Sequence, residues 1–528
     1  MSRRLRSGKA AVVVASMAAL GVVTACGGGT AARGGRDGRP VVAAECPGVR
    51  APADTPAREL RGMWIATVAN VDWPSRTGLP AAAQKAEYRR LLDAAKSLNL
   101  NAVFVQVRPT ADAFYRSPYE PWSQWLGGTQ GKDPGYDVLK FLVDEAHARD
   151  LEFHAWFNPY RVSKQAQAKK LSPQNPARRH PHWVVRYGPE LWYDPGLPQV
   201  RDLAGKVVMD VVNKYDVDGV HFDDYFYPYP EHGDFRDGGT YRRYGGGKSK
   251  AAWRRQNVDT FVQGLSQQIH QAKAWVQFGV SPFGVWRNRT SDPAGSRTRA
   301  LQSYDDIYAD TRKWVRQGWV DYVTPQLYWP IGDDRADYKT LVGWWARQVA
   351  GTRVRLTIGQ AAYRVGEDGA WRRPAELSRH LAVNAGHPAV RGDVFFSAKS
   401  LAADPRGFAT RLRKDHYSRP AIIPAVQGRG GKPPAPVTGL RTSRQGGSVR
   451  LQWQGSGATS YAVYRVDGRG RPCAPADPGR LLATVRGTAI SDPTVRPGAT
   501  RTYYVTALDR LHHESAPGRS STITVQRG

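Results

Sequence analysis

The sequence predicts an α/β protein in which an eight-stranded (β/α)8 barrel is followed by a small all-β domain. The first observation is a series of eight short runs rich in apolar, β-branched and aromatic residues, a pattern typical of buried parallel strands. The second is that helical patterns separate these runs, as at residues 82–98, 136–149 and 253–273. The third is that short alternating runs without any helical pattern fill the chain after residue 435.

The eight runs are the predicted strands of the barrel. In chain order they are residues 63–68, 102–107, 152–157, 219–225, 276–283, 322–328, 355–363 and 393–400. Eight β/α units within residues 58–420 fit the length and strand number of a TIM barrel with insertions. A doubly wound open sheet is the alternative, but such sheets usually have fewer strands, and the chain contains no dinucleotide-binding glycine fingerprint.

Residues 1–26 have the features of an export signal. Basic residues at Arg3, Arg4, Arg6 and Lys9 precede an apolar run, residues 10–23, that is too short and too Ala-rich for a membrane span. The run closes on Val-Thr-Ala-Cys, which resembles a bacterial lipobox that ends in a lipidated Cys26. The alternatives are ordinary signal cleavage and twin-arginine export. We predict an exported protein, lipid-anchored to the outer face of the cell membrane, with residues 27–57 as a flexible tether.

Two cysteines remain besides Cys26. Cys46 and Cys473 are far apart in the sequence, and they could form a disulfide in an oxidising compartment or remain free thiols. Their spacing does not suggest a metal site.

The composition is strongly basic, with a formal net charge of +30 and a pI near 10.2. The charge is spread along the chain, and no nucleic-acid-binding motif accompanies it, so we predict no nucleic-acid partner. A general bias towards arginine is the favoured interpretation for an exported protein, and the charge could also attract anionic cell-wall polymers. The 17 Trp and 24 Tyr suit a carbohydrate groove, and they also suit a large core.

Residues 421–434 are predicted to be a linker, and residues 435–528 a β-sandwich. The predicted strands of the sandwich are residues 437–442, 448–453, 461–466, 481–485, 502–508 and 521–525. Its opening Pro-Ala-Pro-Val-Thr-Gly-Leu, Trp453 in the second strand and Tyr-Tyr-Val-Thr-Ala at residues 503–507 resemble a fibronectin type III domain. The resemblance implies that Trp453 is a core residue. The domain could space or orient the barrel, or bind a cell-wall polymer.

The end of the fourth predicted strand carries the strongest candidate for chemistry. Strand side chains alternate, so His221 and Asp223 share one face while Phe222 and Asp224 share the other. Burying such a polar pair in an apolar strand is costly without a partner or a purpose. We predict that Asp223 faces the mouth of the barrel as a nucleophile or charge stabiliser, with Asp224 as a second catalytic acid or a structural group. The alternative is a polar network inside the barrel.

Other strand ends add polar and aromatic side chains at the end of the barrel where TIM-barrel active sites lie. Those predicted to bind substrate are Asn70, Asp72, Gln106, Arg108, Asn158, Tyr160, Arg161, His221, Gln326, Tyr328 and Trp329. Ser281, Gln360 and Tyr363 occupy comparable positions after the fifth and seventh runs. Amides, arginines and aromatic rings converging at one end of a barrel favour a neutral polyhydroxyl ligand.

Four segments carry a specific resemblance. Residues 60–67 (Leu-Arg-Gly-Met-Trp-Ile-Ala-Thr), 156–161 (Trp-Phe-Asn-Pro-Tyr-Arg), 218–228 and 322–329 are together similar to the glycosyl hydrolase-like family 10 proteins. The resemblance covers most of residues 58–420. It implies a TIM barrel that hydrolyses glycans of the bacterial envelope, with peptidoglycan glycan strands as the leading candidate. It also adds Trp64 to the predicted substrate-binding residues.

Glycoside hydrolysis usually needs two carboxyl groups. Asp223 fills one role, and the candidates for the acid are Asp224, then Asp72 and Asp112. Four further acids precede the sixth strand, on the wrong side of the barrel for chemistry, and are predicted to have structural roles such as helix capping. They are Asp305, Asp306, Asp310 and Asp321.

Two departures from known barrel glycosidases bear on this mechanism. Related enzymes often place the second carboxyl group at the end of the fifth or sixth strand, where this chain has Ser281 and Gln326. The fourth-strand motif is similar to that of chitinase-like barrels, but Tyr225 stands in place of their terminal Glu. We predict no metal and no cofactor. A carbohydrate-binding protein without catalysis and a surface scaffold are the alternative functions.

Overall fold

The computed structural model describes residues 58–470 and 478–525. Eight parallel strands close into a barrel, and two antiparallel sheets follow it, so the predicted (β/α)8 barrel and all-β domain are confirmed. The predicted signal peptide, lipobox and tether, together with Cys46 and Cys473, lie outside the described residues. Across the described chain, no helix is both long and apolar enough to cross a membrane.

The barrel strands are labelled β1–β8 in chain order. They are Leu60–Ile65, Ala102–Arg108, Glu152–Phe157, Gly219–Phe222, Gln277–Val280, Tyr322–Val323, Arg355–Gln360 and Val390–Phe395. Each strand pairs in parallel with its neighbours, and the pairing of β1 with β8, with Met63 opposite Phe395, closes the barrel. All their carboxyl ends therefore meet at one end of the barrel, which we call the carboxyl end.

Helices follow each strand and cover the outside of the barrel. The main ones, α1–α8, are Ala81–Ser97, Val138–Ala148, Pro198–Lys214, Lys250–Ala272, Thr311–Arg316, Tyr338–Val349, Glu376–Ala385 and Phe408–Asp415. Shorter α-helices are Gln124–Gly127, Pro176–Arg179, Gly238–Tyr244, Ser303–Asp306 and Ala398–Ala403. Turns of 3-10 helix are Val68–Asn70, Ala168–Lys170, Pro181–Trp183, Pro230–His232, Ala362–Arg364, Gly369–Arg372, Pro405–Gly407 and Pro478–Arg480.

Six barrel strands differ in extent from the prediction by more than one residue, and three of them, β4, β5 and β7, end three residues earlier than predicted. The other three are β1, β6 and β8. β1 ends at Ile65, and the chain then turns through a 3-10 helix instead of continuing to residue 68. β6 ends at Val323, shortly before Pro325, which has no N–H to donate. Beyond the proline, Gln326 forms single β-bridges to Phe283, after β5, and to Gly359, in β7. β8 ends at Phe395, where the prediction extended to residue 400, because a helix begins at Ala398.

An antiparallel excursion follows β3 and extends the wall of the carboxyl end. It consists of Arg161–Ser163, Val184–Tyr187 and Glu190–Tyr193, with the last of these in the centre. Its Trp192 meets the ring of Tyr225, which follows β4, at 5.5 Å. The excursion is thus packed against the segment that carries Asp223.

The second domain is a sandwich of two antiparallel sheets. Its strands, labelled β9–β15, are Thr438–Gln445, Ser448–Gln454, Ser460–Asp467, Leu481–Val485, Ala489–Asp492, Thr500–Leu508 and Ser521–Thr524. The sheet orders are β9-β10-β13 and β12-β11-β14-β15. β13 was not predicted, because its four residues are too few for a clear alternation. Trp453 is buried in the core between the sheets, as predicted.

The sandwich docks on the amino end of the barrel through pairs of opposite charge. Arg510 binds Asp216 at 2.6 Å, and Arg486 lies 3.4 Å from Asp218, while Glu514 accepts a hydrogen bond from Arg58 at 2.6 Å. Within the predicted linker, residues 422 and 423 are buried. Chain segments from both domains therefore share one buried junction.

This junction is expected to weaken in acid. Burial alone would raise the pKa of Asp218, but Arg486 and His147 hold it down, at about 2 instead of 3.8. A lowered folded-state pKa contributes stability above the ordinary value, and this contribution is lost as the pH falls towards 2. We expect Asp218→Asn to lower stability by about 2 kcal/mol at neutral pH and to have little effect near pH 2. Melting curves of both proteins from pH 2 to pH 7 measure this, and curves separated by a constant difference would contradict it.

Candidate active site

A pocket of about 150 Å³ opens at the carboxyl end of the barrel. The side chains around it come from the ends of most barrel strands. They are Trp64, Ala66, Val68, Val71, Gln106, Trp156, Asp223, Tyr225, Ser281, Gln326, Tyr328 and Phe396. Asp223 is the one carboxyl group in this set.

Asp223 follows β4 directly and is held by three donors. Its Oδ2 accepts from Asn158 Nδ2 at 3.0 Å, and its Oδ1 accepts from the backbone N–H of Asp224 at 3.0 Å and from Gln326 Nε2 at 3.3 Å. The side chain is partly exposed to the pocket. Neutral donors fix its orientation without neutralising it, so an ionised Asp223 presents negative charge to whatever fills the pocket.

Asp224 is buried beside Asp223 and does not line the pocket. Its Oδ2 accepts a hydrogen bond from the hydroxyl of Tyr229. Burial and the charge of Asp223 raise the pKa of Asp224 well above its usual value. Two carboxyl groups in such contact do not both ionise readily, so Asp224 keeps its proton to a higher pH than an ordinary aspartate does.

The raised pKa of Asp224 predicts where activity ends on the alkaline side. If the reaction needs the proton of the pair, kcat/KM should fall only at pH values well above the ordinary aspartate range, as Asp224 loses its proton. Folding stability should decline as the pH rises from the ordinary aspartate pKa to the raised folded-state value and then level off, because the stability that a raised carboxyl pKa contributes is lost between these two values. A pH–rate profile and melting curves measure both effects. In Asp224→Asn both slopes should be absent, and a slope retained in that variant would assign it to another group.

A network of neutral groups positions the pair from the neighbouring strands. Gln106 Oε1 accepts from the backbone N–H of Thr67 at 3.0 Å, and Gln106 Nε2 donates to Asn158 Oδ1 at 2.5 Å. Asn158 Nδ2 in turn donates to the hydroxyl of Tyr225 at 2.7 Å as well as to Asp223. Each amide thus has a fixed orientation, and the donors to Asp223 are pre-organised.

A cation and several aromatic rings complete the walls. The guanidinium of Arg161 lies 4.4 Å from the centre of the Tyr225 ring, on the side of the excursion after β3. Trp156 lines the pocket, and its buried indole N–H has no hydrogen-bond partner among the described residues. Tyr363 is 47% exposed and meets Tyr328 at 5.9 Å, so aromatic surface continues outwards from the pocket. Such rings suit the faces of sugars, and the free N–H suits a hydroxyl.

The structure therefore brings many of the predicted residues together. Those that line the pocket are Trp64, Gln106, Asp223, Gln326 and Tyr328. Those immediately behind it are Asn158, which holds Asp223, Arg161, which stacks on Tyr225, and His221, which accepts from the indole of Trp64 at 3.1 Å. Burial lowers the pKa of His221 well below its usual value, so this ring is neutral where it lies beneath the pocket.

Two residues after β1 that were predicted to bind substrate lie away from the pocket. Asp72 accepts from the backbone N–H groups of Ala66 and Lys399 and from the hydroxyl of Ser397, so it ties the β1 and β8 loops together away from the pocket. Asn70 donates to the carbonyls of Pro74 and Trp125 and has a positive φ of 54°. Both side chains serve loop structure because β1 ends earlier than predicted.

Four further predicted residues also lie outside the pocket. Arg108 forms a fully buried ion pair with Glu120, and Asp112, a candidate acid, is buried with the hydroxyl of Thr110 at 2.9 Å. Tyr160 packs 5.5 Å from Phe261, and Trp329 packs 5.4 Å from Phe283.

Of the acids assigned structural roles, Asp310 caps α5 through the N–H of Lys313, as predicted, and Asp321 pairs with Arg429.

Several pocket residues were not predicted as site residues. They are Val71, Trp156, Tyr225, Ser281 and Phe396, with Tyr229 behind Asp224. Trp156 could have been found, because it lies two residues before Asn158 on the same strand face. Phe396 could not, because the predicted β8 was displaced. No group of three or more His, Cys, Asp or Glu in the described ranges is placed to hold a metal ion.

A closed (β/α)8 barrel with a carboxyl pair, amides and aromatic rings at its carboxyl end is a barrel of the glycosidase type. The family model for glycosyl hydrolase-like 10 matches residues 59–373, and the chain belongs to this family.

Named relatives extend the match. The chain is 44% identical to glycosyl hydrolase YngK of Bacillus subtilis (strain 168) over 483 residues, 88% of this chain and 93% of that protein. It is 42% identical to glycosyl hydrolase DigH of Escherichia coli (strain K12) over 399 residues, 72% of this chain and 89% of that protein. Among solved structures, the glycoside hydrolase domain of PgaB (BpsB) from Bordetella bronchiseptica covers 67% of this chain and 98% of its own, at 16% identity and a TM-score of 0.47.

Proposed function

We propose that this protein is a glycoside hydrolase that cleaves a polysaccharide of the bacterial envelope, namely the glycan strands of peptidoglycan. The observation that carries the proposal is the carboxyl pair, in which Asp223 faces the pocket and Asp224 is buried beside it with a raised pKa. Membership of a glycosyl hydrolase-like family and two relatives named glycosyl hydrolases support the reaction class.

Asp223 can supply one of the two functions that glycoside hydrolysis requires. As a carboxylate it stabilises the positive charge developing on the sugar or attacks its anomeric carbon. The bond to the leaving oxygen breaks in the same step, and that oxygen takes its proton from water, because Asp224 does not line the pocket. Asn158 and Gln326 hold Asp223 in place for either role without changing its charge.

The envelope substrate rests on the predicted fate of the chain. A signal peptide ending at a lipidated Cys26 would anchor the protein to the outer face of the cell membrane, where glycan strands are within reach. The net charge of +30 favours approach to an anionic wall. Aromatic walls at the pocket suit a chain of sugars more than a small charged metabolite.

The test is digestion of purified glycan strands, with and without stem peptides, by the two-domain protein comprising residues 27–528. Products are read by mass spectrometry. New reducing ends that are absent with Asp223→Asn would support the proposal, and the end groups would identify the bond. Intact strands under conditions where the protein is folded would refute it.

One observation favours a second candidate, a carbohydrate-binding protein without catalysis: a single carboxyl group lines the pocket in the described part of the chain. This candidate predicts that intact glycan co-sediments with the protein and that Asp223→Asn binds it equally well. The same preparation of glycan distinguishes the two functions.

A further inference from the structure

A column of hydrogen-bonded side chains runs through the barrel from the sandwich towards the pocket. His512, from the sandwich, binds Glu152 Oε1 through Nε2 at 2.6 Å. Glu152 Oε2 lies 3.0 Å from His154 Nε2, and His154 Nδ1 lies 2.9 Å from the hydroxyl of Tyr322. Glu152 is 5% exposed, and His154 and Tyr322 are fully buried.

The upper half of this column ends under the pocket. The Tyr322 hydroxyl lies 3.1 Å from His221 Nδ1. His221 Nε2 then lies 3.1 Å from the indole nitrogen of Trp64 and 3.0 Å from the hydroxyl of Ser281. Since Trp64 and Ser281 both line the pocket, the column connects the sandwich to the site.

The two ends of the column determine where its protons lie. The indole of Trp64 can only donate, so His221 accepts at Nε2 and donates from Nδ1 to Tyr322. The Tyr322 hydroxyl then donates to His154 Nδ1. His154 must carry its proton on Nε2, where it donates to Glu152, whose carboxylate only accepts.

An ionised Glu152 is the condition for this arrangement. Burial alone would raise the pKa of Glu152, but His512 and His154 hold it well below its usual value. Gln277 Nε2 also donates to Oε1 at 3.0 Å, and Arg355 fixes Gln277 from the other side at 2.6 Å. His512 is the one contact among these that the sandwich supplies.

We propose that the sandwich is a working part of the catalytic barrel, in which His512 is a positioning residue that keeps Glu152 ionised and thereby fixes the tautomers of His154 and His221 beneath Trp64. Without His512, Glu152 would become protonated and would donate to His154 Nε2. The hydrogen bonds from His154 to Tyr322 and from Tyr322 to His221 would then also reverse their direction. His221 would then carry its proton on Nε2, facing the N–H of Trp64. Two donors cannot share a hydrogen bond, so Trp64 would lose its partner and its fixed position in the pocket.

The test uses the two-domain protein, residues 27–528, with ¹⁵N-labelled histidine. The variant is His512→Leu, and His512→Gln restores a side-chain donor at the same place. The matched control is His513→Leu, because the ring of His513 binds Asp509 in the same loop of the sandwich, at 2.8 Å, and not Glu152. Ring nitrogen shifts report the tautomers of His154 and His221 directly, and melting curves report folding.

In His512→Leu we expect the ring shifts of His154 and His221 to change, with His512→Gln close to wild type and His513→Leu unchanged. Glycan cleavage, which rests on the proposed function, should fall about 10- to 100-fold in kcat with a smaller change in KM. Folded His512→Leu with unaltered ring shifts at both histidines would overturn the proposal. If the wild-type protein cleaves no glycan, the ring shifts still test whether His512 fixes the tautomers of His154 and His221.

Tyr322→Phe provides an independent check, because it removes the central hydroxyl and leaves the sandwich contact intact. We expect it to change the ring shifts of His221 by itself. In this background His512→Leu should alter His154 and no longer alter His221. An effect of His512→Leu that still reaches His221 without the hydroxyl would show that the column does not carry it.

Discussion

Replacing Asp223 by Asn is expected to lower kcat for glycan cleavage by about 1,000-fold or more, with little change in KM. The variant keeps the size of the side chain and can still accept a hydrogen bond from Asn158 or Gln326. It removes the only carboxyl group that lines the pocket in the described chain, and with it the negative charge that faces the substrate. Initial rates on purified glycan strands at several concentrations measure the effect.

Asp72→Asn is the matched control for this prediction. Asp72 also follows a barrel strand, but it is buried and its oxygens accept from Ala66, Ser397 and Lys399. The control should lower the melting temperature, because Asn has one acceptor fewer, while kcat per folded molecule stays near wild type. A full loss of cleavage in folded Asp72→Asn, with activity retained in Asp223→Asn, would move the catalytic carboxyl group to the β1 loop.

The barrel could be predicted from the sequence because its strands are marked by local chemistry. Runs such as the one at Glu152–Phe157 are rich in apolar and aromatic residues, and the helices between them are long enough to show a period. The ends of the strands carry less local information. β6 has only two paired residues, and a proline shortly after them, not a change in hydrophobicity, marks its end.

The site could be predicted only where strand alternation continues to the strand end. β4 keeps its alternation, so His221 and Asp223 do point to the barrel axis and the pocket. β2 does not, because its pairing with β3 shifts between Gln106 and Arg108. A shift of one residue reverses the face of each side chain beyond it. Gln106 therefore reaches the pocket, whereas Arg108 turns outwards into the layer behind it.

Arg108 consequently supports the fold, and Arg108→Met is expected to show this as a loss of stability. Arg108 and Glu120 are 1% and 0% exposed, and Arg108 Nε lies 2.7 Å from Glu120 Oε2. Removing the arginine leaves a buried carboxyl group without its partner, which costs about 3–5 kcal/mol. We expect a melting temperature about 5–10 °C lower, measured by calorimetry. Cleavage per folded molecule should be retained.

The double variant Arg108→Met/Glu120→Gln separates the ion pair from the packing of its side chains. If the loss in the single variant comes from the unpaired carboxyl group, neutralising Glu120 should recover much of it, because a buried ion pair contributes little net stability over neutral groups of similar volume. Arg108 also donates to the carbonyl of Asn158, so part of the loss should remain. Equal melting temperatures for the single and double variants would instead assign the whole effect to the Asn158 contact. In that case the arginine would act on the residue that holds Asp223, and kcat would fall in both variants.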